Sequence, residues 1–235
     1  MKLPTKPLSL PLLTLVFMAG FFSSSIGKKF IMSITGLFLM LFLLVHLAAN
    51  ITGLFGAESF NRVCRFMSTN PIILAMVPVL AAGFVLHILY GLLLNLSNLK
   101  ARGRKAYAVS HKGPVVSWAS TNMFVLGCII LGGLVLHLFH FWARMQLQEF
   151  MGGAGAPPYD LLVYTFSKLH TVIIYIVWII ALWFHLTHGF WSAFQSLGLS
   201  NKKWISRWQI IAYVYATVVA VGFISIPLYF YLFVG

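Results

Sequence analysis

The chain has 235 residues, of which 60% are hydrophobic and only 8% charged, with a mean hydropathy of +0.94. Charge that sparse cannot cover a water-soluble globule of this size, which excludes an ordinary soluble enzyme and leaves a chain solvated mostly by lipid. The formal net charge of +13 comes from 16 Lys and Arg against 3 Asp and Glu. These cations lie in short loops between apolar runs, so they read as topology signals and not as a nucleic-acid face.

Residues 1–29 form an N-terminal cytoplasmic or interfacial segment. Within it "LSLPLLTLVFMAGFF" (8–22) has the look of a signal-peptide core. No A-x-A site follows, Pro11 interrupts it, and a run of about 15 residues is short for a span. Met18 is an alternative start, because "SSSIGKKF" opens the better-organised part. Five apolar runs then follow, approximately 30–54, 72–97, 117–142, 166–194 and 207–232. Each exceeds or matches the roughly 20 helical residues that cross a bilayer. Helices satisfy their own backbone in lipid, so the expectation is an all-α integral membrane protein, a single membrane domain over 1–235. Gly36, Pro78, Gly83, Gly132, Gly133 and Pro227 are tolerated inside such spans, and the small residues allow close helix approach.

Span 1 carries His46, with Asn50 one turn on. Glu58 is the first acid after it, and Arg62 and Arg65 follow. Span 2 carries His87 and leads into "KARGRKAYAVSHK" (100–112), an orientation signal that also suits docking to an acidic subunit or to anionic head groups. His111 there is solvated. Span 3 carries His137 and His140, and "EFMGGAGAPPYD" (149–160) after it reads as a Gly/Pro-rich loop. His170 sits at the mouth of span 4, which carries His185 and His188. Cys64 and Cys128 are isolated; with no CxxCH, covalent c-type haem attachment is excluded. Trp142, Tyr159, Tyr164, Trp191, Trp204 and Trp208 near span ends read as interface belts.

Lys2, Lys6, Lys28, Lys29, Lys100, Arg102, Arg104, Lys105, Lys112, Lys202, Lys203 and Arg207 fall on one side, twelve cations against Arg62, Arg65, Arg144 and Lys168 on the other. The excess places the N-terminus in the cytoplasm and the C-terminus outside. Depth follows from a rise of about 1.5 Å per residue. His46 lies about 24 Å from the inner end of span 1, and His137 about 30 Å from that of span 3, both in the outer half. His87 lies about 24 Å from the outer end of span 2, and His188 about 30 Å from that of span 4, both in the inner half. Each level draws one imidazole from each of two helices, the ligand set of a six-coordinate haem iron that carries electrons. His140 and His185 are alternates, three residues from His137 and His188. Gly132 and Gly133 favour His137, and Gly189 beside His188 favours that residue. A lone intramembrane His is explained by a helix–helix hydrogen bond, but two matched levels are not. A proton relay is disfavoured, since the spans hold no Asp or Glu.

"SSIGKKFIMSITGLFLMLFLLVHLAANITGLFG" (24–56), "RVCRFMSTNP" (62–71), "GFVLHILYGL" (83–92) and "FHLTHGFWSAFQSLGL" (184–199) together carry a resemblance. It is to the cytochrome b subunit of succinate dehydrogenase and fumarate reductase, of the single-chain, five-helix, two-haem, Bacteroidetes-like type. The resemblance implies two b haems, with His87 and His188 on the one nearer the hydrophilic subunits and His46 and His137 on the far one. It implies a flavoprotein (FAD) subunit and an iron–sulfur subunit on the cytoplasmic face of a bacterial inner membrane. It also implies exchange of electrons with a quinone, menaquinone in this family. Ser33, and more weakly Trp118, stand where family members contact a haem propionate. The family's glutamate two residues before the helix-4 ligand is Leu186 here, so that proton route is not carried over. Glu58 is the substitute for its external quinone-site acid. The rivals are the cytochrome b subunit of a quinone-linked hydrogenase or formate dehydrogenase, and a non-redox transporter.

Overall fold

The computed structural model describes Gly20 and residues 24–102 and 117–235. Residues 8–19 and 21–22 of the N-terminal run, Met18 among them, and most of the basic loop, with Arg104, Lys105, His111 and Lys112, lie outside the described residues. Among those described, nine α-helices succeed one another: α1 Ser25–Ile51, α2 Ala57–Thr69, α3 Pro71–Arg102, α4 Trp118–Thr121, α5 Met123–His140, α6 Gln146–Phe150, α7 Pro158–Phe166, α8 Leu169–Ser196 and α9 Trp204–Tyr229. Five stretches are long and apolar enough to cross a membrane: Ser25–Phe55, Pro71–Ala101, Met123–Arg144, Leu169–Ser196 and Trp204–Val234. The protein is an all-α integral membrane bundle.

Local chemistry sets the helix ends. The Ser24 hydroxyl accepts from the Gly27 N–H at 3.0 Å, which starts α1 five residues before the apolar run alone suggests. Asn70 accepts from the Ile72 N–H at 2.9 Å, with Pro71 supplying the first helical residue of α3. Asn201 caps α9 through the Lys203 and Trp204 N–H groups. Span 3 is shorter than its apolar run: Trp118–Thr121 forms a separate turn, and the membrane helix starts at Met123. Span 4 likewise starts at Leu169, because the chain breaks at Ser167 and Lys168 after α7.

Hydropathy assigns no span to residues 57–69, yet they form α2. Its mean hydropathy is too low for a span, but its apolar residues fall on one face, and Phe60 is buried while Arg62 and Arg65 are exposed. The stretch expected as an open loop at 149–160 is partly helical too, ending α6 at Phe150 and starting α7 at Pro158; Gly152, at φ +80°, makes the turn between.

Inside lipid, apolar burial supplies little drive for helix association, so small residues and cross-helix hydrogen bonds decide the packing. α9 lies along α8 and also on α1. Ala212, Ala216 and Val219 are 0% exposed, and Leu47 packs so closely on Gly222 that an added Cβ would meet it at 2.8 Å. The Tyr215 hydroxyl donates to the Met40 carbonyl at 2.7 Å, tying α9 to α1. α3 packs on α1 and α5 on α8, while α3 and α5 scarcely touch. Spans 1 and 4 thus form a back wall, with spans 2 and 3 standing off at either side.

Candidate functional site

The open side of this arrangement collects the intramembrane histidines at two levels. At one level His46 of α1 faces His137 of α5, with ring centroids 5.8 Å apart. Phe42 stacks on His46 at 5.2 Å, and Phe223 flanks it. Trp178 and Phe141 flank His137 at 5.6 and 5.3 Å. Asn50 needs a polar partner in lipid and finds it here. Its side-chain amide donates to the His46 carbonyl at 2.7 Å and lies 3.4 Å from both nitrogens of that imidazole.

The other level holds His87 of α3 and His185 of α8, with centroids 6.3 Å apart. His188 lies one turn further along α8, edge-on to Trp191 at 4.9 Å. The residue expected opposite His87 is therefore displaced in favour of its alternate. Gly189, read in the sequence as room for a flat ring, has Met40 against it instead. The glycine that makes room is Gly36, over which the His87 ring sits; a Cβ there would come within 3.3 Å of Cε1. Thr35 completes this level. Its hydroxyl donates to the Ile31 carbonyl at 2.8 Å, and its oxygen lies 3.3 Å from His87 Nδ1. Since that proton is already committed, the hydroxyl accepts from Nδ1–H, which leaves the Nε2 lone pair of His87 free for a metal.

His140 is placed apart from the outer pair. Its Nδ1 shares a hydrogen bond with the Tyr175 hydroxyl at 3.2 Å, and the two rings stack at 5.9 Å. The Nδ1 atoms of His137, His185 and His188, by contrast, are buried with no partner. Unpaired imidazole at this depth is costly unless something not in the polypeptide occupies it.

The remaining candidates are scattered. Ser33 is buried and donates to the Lys29 carbonyl at 2.9 Å. Trp118 is exposed, with its ring 5.0 Å from Phe184, the residue before His185. Glu58 sits on the exposed face of α2 in an ion pair with Arg62, beside neither histidine pair. Thr35, Tyr175 and Trp178 were not singled out from the sequence, and Gly36 only as a glycine tolerated inside span 1. Thr35 and Gly36 lie inside the quoted stretch 24–56, but hydropathy says nothing of which imidazole they would meet.

Among the described residues no three ligand-type side chains converge, so a bare ion held only by protein is not supported. Two neighbouring imidazoles from different helices suit a metal whose other positions a macrocycle would fill. The ring centroids of the two pairs, 5.8 and 6.3 Å apart, are close enough for one metal ion to be shared between the rings of each pair. The unpaired nitrogens and the sparse contact between spans 2 and 3 agree with that, and the residues fit the group.

The fold and site define a helical membrane protein that presents paired histidines from four spans at two depths. Among curated proteins, the chain is similar to the succinate dehydrogenase cytochrome b558 subunit of Bacillus subtilis, 24% identical over 161 residues, 68% of this chain and 73% of that one. This similarity and the resemblance read from the motifs point to the same family. No family model and no solved structure matches the chain.

Proposed function

We propose that the chain is the di-haem cytochrome b anchor of a succinate:quinone oxidoreductase, carrying electrons between an iron–sulfur subunit and membrane quinone. The observation that supports it best is the pair of histidine levels, each built from two different spans, with partnerless buried nitrogens in both. In this reading His46 and His137 would hold the haem at the outer level, and His87 and His185 that at the inner one, with His188, the partner first expected for His87, one turn away along α8. The bound haem would supply one-electron chemistry, and the protein supplies ligands, dielectric and orientation. Thr35 and Asn50 hold the imidazoles. Phe42, Phe223 and Trp178 keep water from the outer pair. Ser33 and Trp118 lie toward the inner level, where a propionate contact is assigned to them. The cation excess puts the inner level beside the cytoplasmic face of a bacterial inner membrane, where the flavoprotein and iron–sulfur subunits would dock; menaquinone is the substrate quinone of this reading.

The test is purification of the assembly from native membranes, with haem assayed as pyridine haemochrome. Two haem b per chain and an FAD-bearing partner are expected. A colourless chain supports the transporter instead, and a nickel- or molybdenum-bearing partner the hydrogenase or formate dehydrogenase type.

A further inference from the structure

At the end of the bundle away from Lys28 and Lys29, the meeting point of α5, α7 and α8 encloses a cavity of about 110 Å³. A single water needs roughly 10–15 Å³, so the cavity admits a group of several heavy atoms. Its lining is cationic: Arg144, Lys168, His140 and His170. Arg144 and Lys168 converge on one ring, with their charged ends 5.8 and 4.0 Å from the centre of Tyr164. Two cations gathered this closely repel unless something negative joins them. No carboxylate does so. The one ion pair among the described residues is Arg62 with Glu58, Glu149 takes a bond from Gln146, and Asp160 shares the adjoining groove with Arg144 without pairing. Tyr164 registers the positive field: the hydrogen bond from Lys168, then its charge and that of Arg144, draw its hydroxyl below the usual phenol range.

Two further features point to a ligand. Thr165 and Thr171 line the cavity, are 5% and 4% exposed, and make no side-chain hydrogen bond among the described residues. Neither hydroxyl oxygen is sealed among the buried unpaired atoms, so both stand open to a group that enters the cavity. Lys168 is also the N-cap of the 28-residue α8, which has no side-chain cap, so the positive end of that helix lies at the same mouth. The outward faces of these helix ends carry Phe139, Leu169 and Ile173, all at least half exposed to lipid. Cations are scarce at this end of the bundle, where hydropathy and charge leave four of sixteen, yet two of the four meet here.

We infer that this mouth binds a phosphate group, whether free or on the head of an anionic phospholipid whose chains run down the apolar faces of spans 3 and 4. Arg144 and Lys168 neutralise it, and the threonine hydroxyls and first-turn N–H groups of α8 donate to it.

Native mass spectrometry of the purified assembly tests it, with phosphatidylglycerol, phosphatidylcholine and inorganic phosphate as probes. The wild type is expected to hold phosphatidylglycerol in preference to phosphatidylcholine. Arg144→Gln with Lys168→Gln should bind it about 30-fold more weakly, two cations at about 1 kcal/mol each. Lys202→Gln with Lys203→Gln, the same loss of charge at the opposite end, should bind as wild type does. If inorganic phosphate binds and stabilises the wild type but not the Arg144/Lys168 variant, and no lipid is held, the site stands with free phosphate as its source. Equal binding of every probe by wild type and both variants overturns the inference. So does a variant that keeps its lipid but shifts the optical band of one haem, because the cations then serve a carboxylate of that haem. Should the double variant fail to fold, Lys168→Gln alone and competition of phosphate with lipid on the wild type give the same decision.

Discussion

His87 shows how one hydroxyl sets the state of a buried imidazole. Thr35 spends its proton on the Ile31 carbonyl and so can only accept from Nδ1. An acceptor on the distal nitrogen raises ligand basicity and stabilises the oxidised metal. Thr35→Val removes that bond, worth about 1 kcal/mol. The inner midpoint should therefore rise by about 40 mV, on the scale of 59 mV per tenfold for one electron, with the outer midpoint unmoved. Potentiometric titration at the two optical bands measures both. The same reasoning separates the contested residues. His140 is engaged by Tyr175, whereas His137 is not, and His185 faces His87 while His188 faces Trp191. None of this could be read from a spacing of three residues, which puts both members of each pair on neighbouring positions of one helix. What decides between them is the rotation of α5 and α8, and packing sets that.

Those rotations rest on a few close approaches between helices. Trp178 of α8 drives its indole into α5, donating to the Ile130 carbonyl at 3.0 Å, and it can do so only because residue 133 has no side chain. A Cβ on Gly133 would overlap the Trp178 indole, whereas one on Gly132 would meet nothing. Gly133→Val should thus turn α5, move His137 away from His46 and abolish the outer haem signal while sparing the inner one. Gly132→Ala should leave both signals intact. The sequence marks both glycines alike, and only the partner helix tells them apart. The elements outside the membrane teach a related lesson. The spans were legible because a bilayer demands long apolar runs, but α2 is amphipathic and short, and its apolar face is spent on α7 and the end of α1. Cys64 lies on that covered side, where burial pushes its thiol up to about 11. A raised thiol pKa favours the folded state below the ordinary value of about 9, and that contribution is lost as pH climbs through 11. Alkylation of native Cys64 by iodoacetamide should accordingly be negligible at pH 8 and rise steeply above pH 10. Rapid labelling at pH 8 would show that α2 does not pack as described.

At the scale of the whole molecule, composition dictates the class and the histidine spacing dictates two levels. On α1 the levels are marked by Thr35 and Gly36 at one end and His46 at the other, ten or eleven residues apart, or about 15 Å at 1.5 Å per residue. That is about half of a hydrocarbon layer of about 30 Å. Moving one electron between the levels then crosses about half the membrane field, or about 1.2 kcal/mol per 100 mV. In oriented proteoliposomes the difference between the two midpoints should change by about 50 mV for each 100 mV imposed, and no change would place both levels at one depth. Orientation, partners and quinone rest on charge bias and motif resemblance alone, because they depend on surfaces that the bundle does not itself bury. The central claim is that four imidazoles from four spans grip two irons. Redox titration of His46→Ala, His87→Ala, His137→Ala, His185→Ala and His188→Ala, each in the purified assembly, tests it most directly. Loss of one b-type wave is predicted for His46 and His137, loss of the other for His87 and His185, and retention of both for His188. Both waves surviving in any of the first four, or one vanishing with His188, would contradict the account.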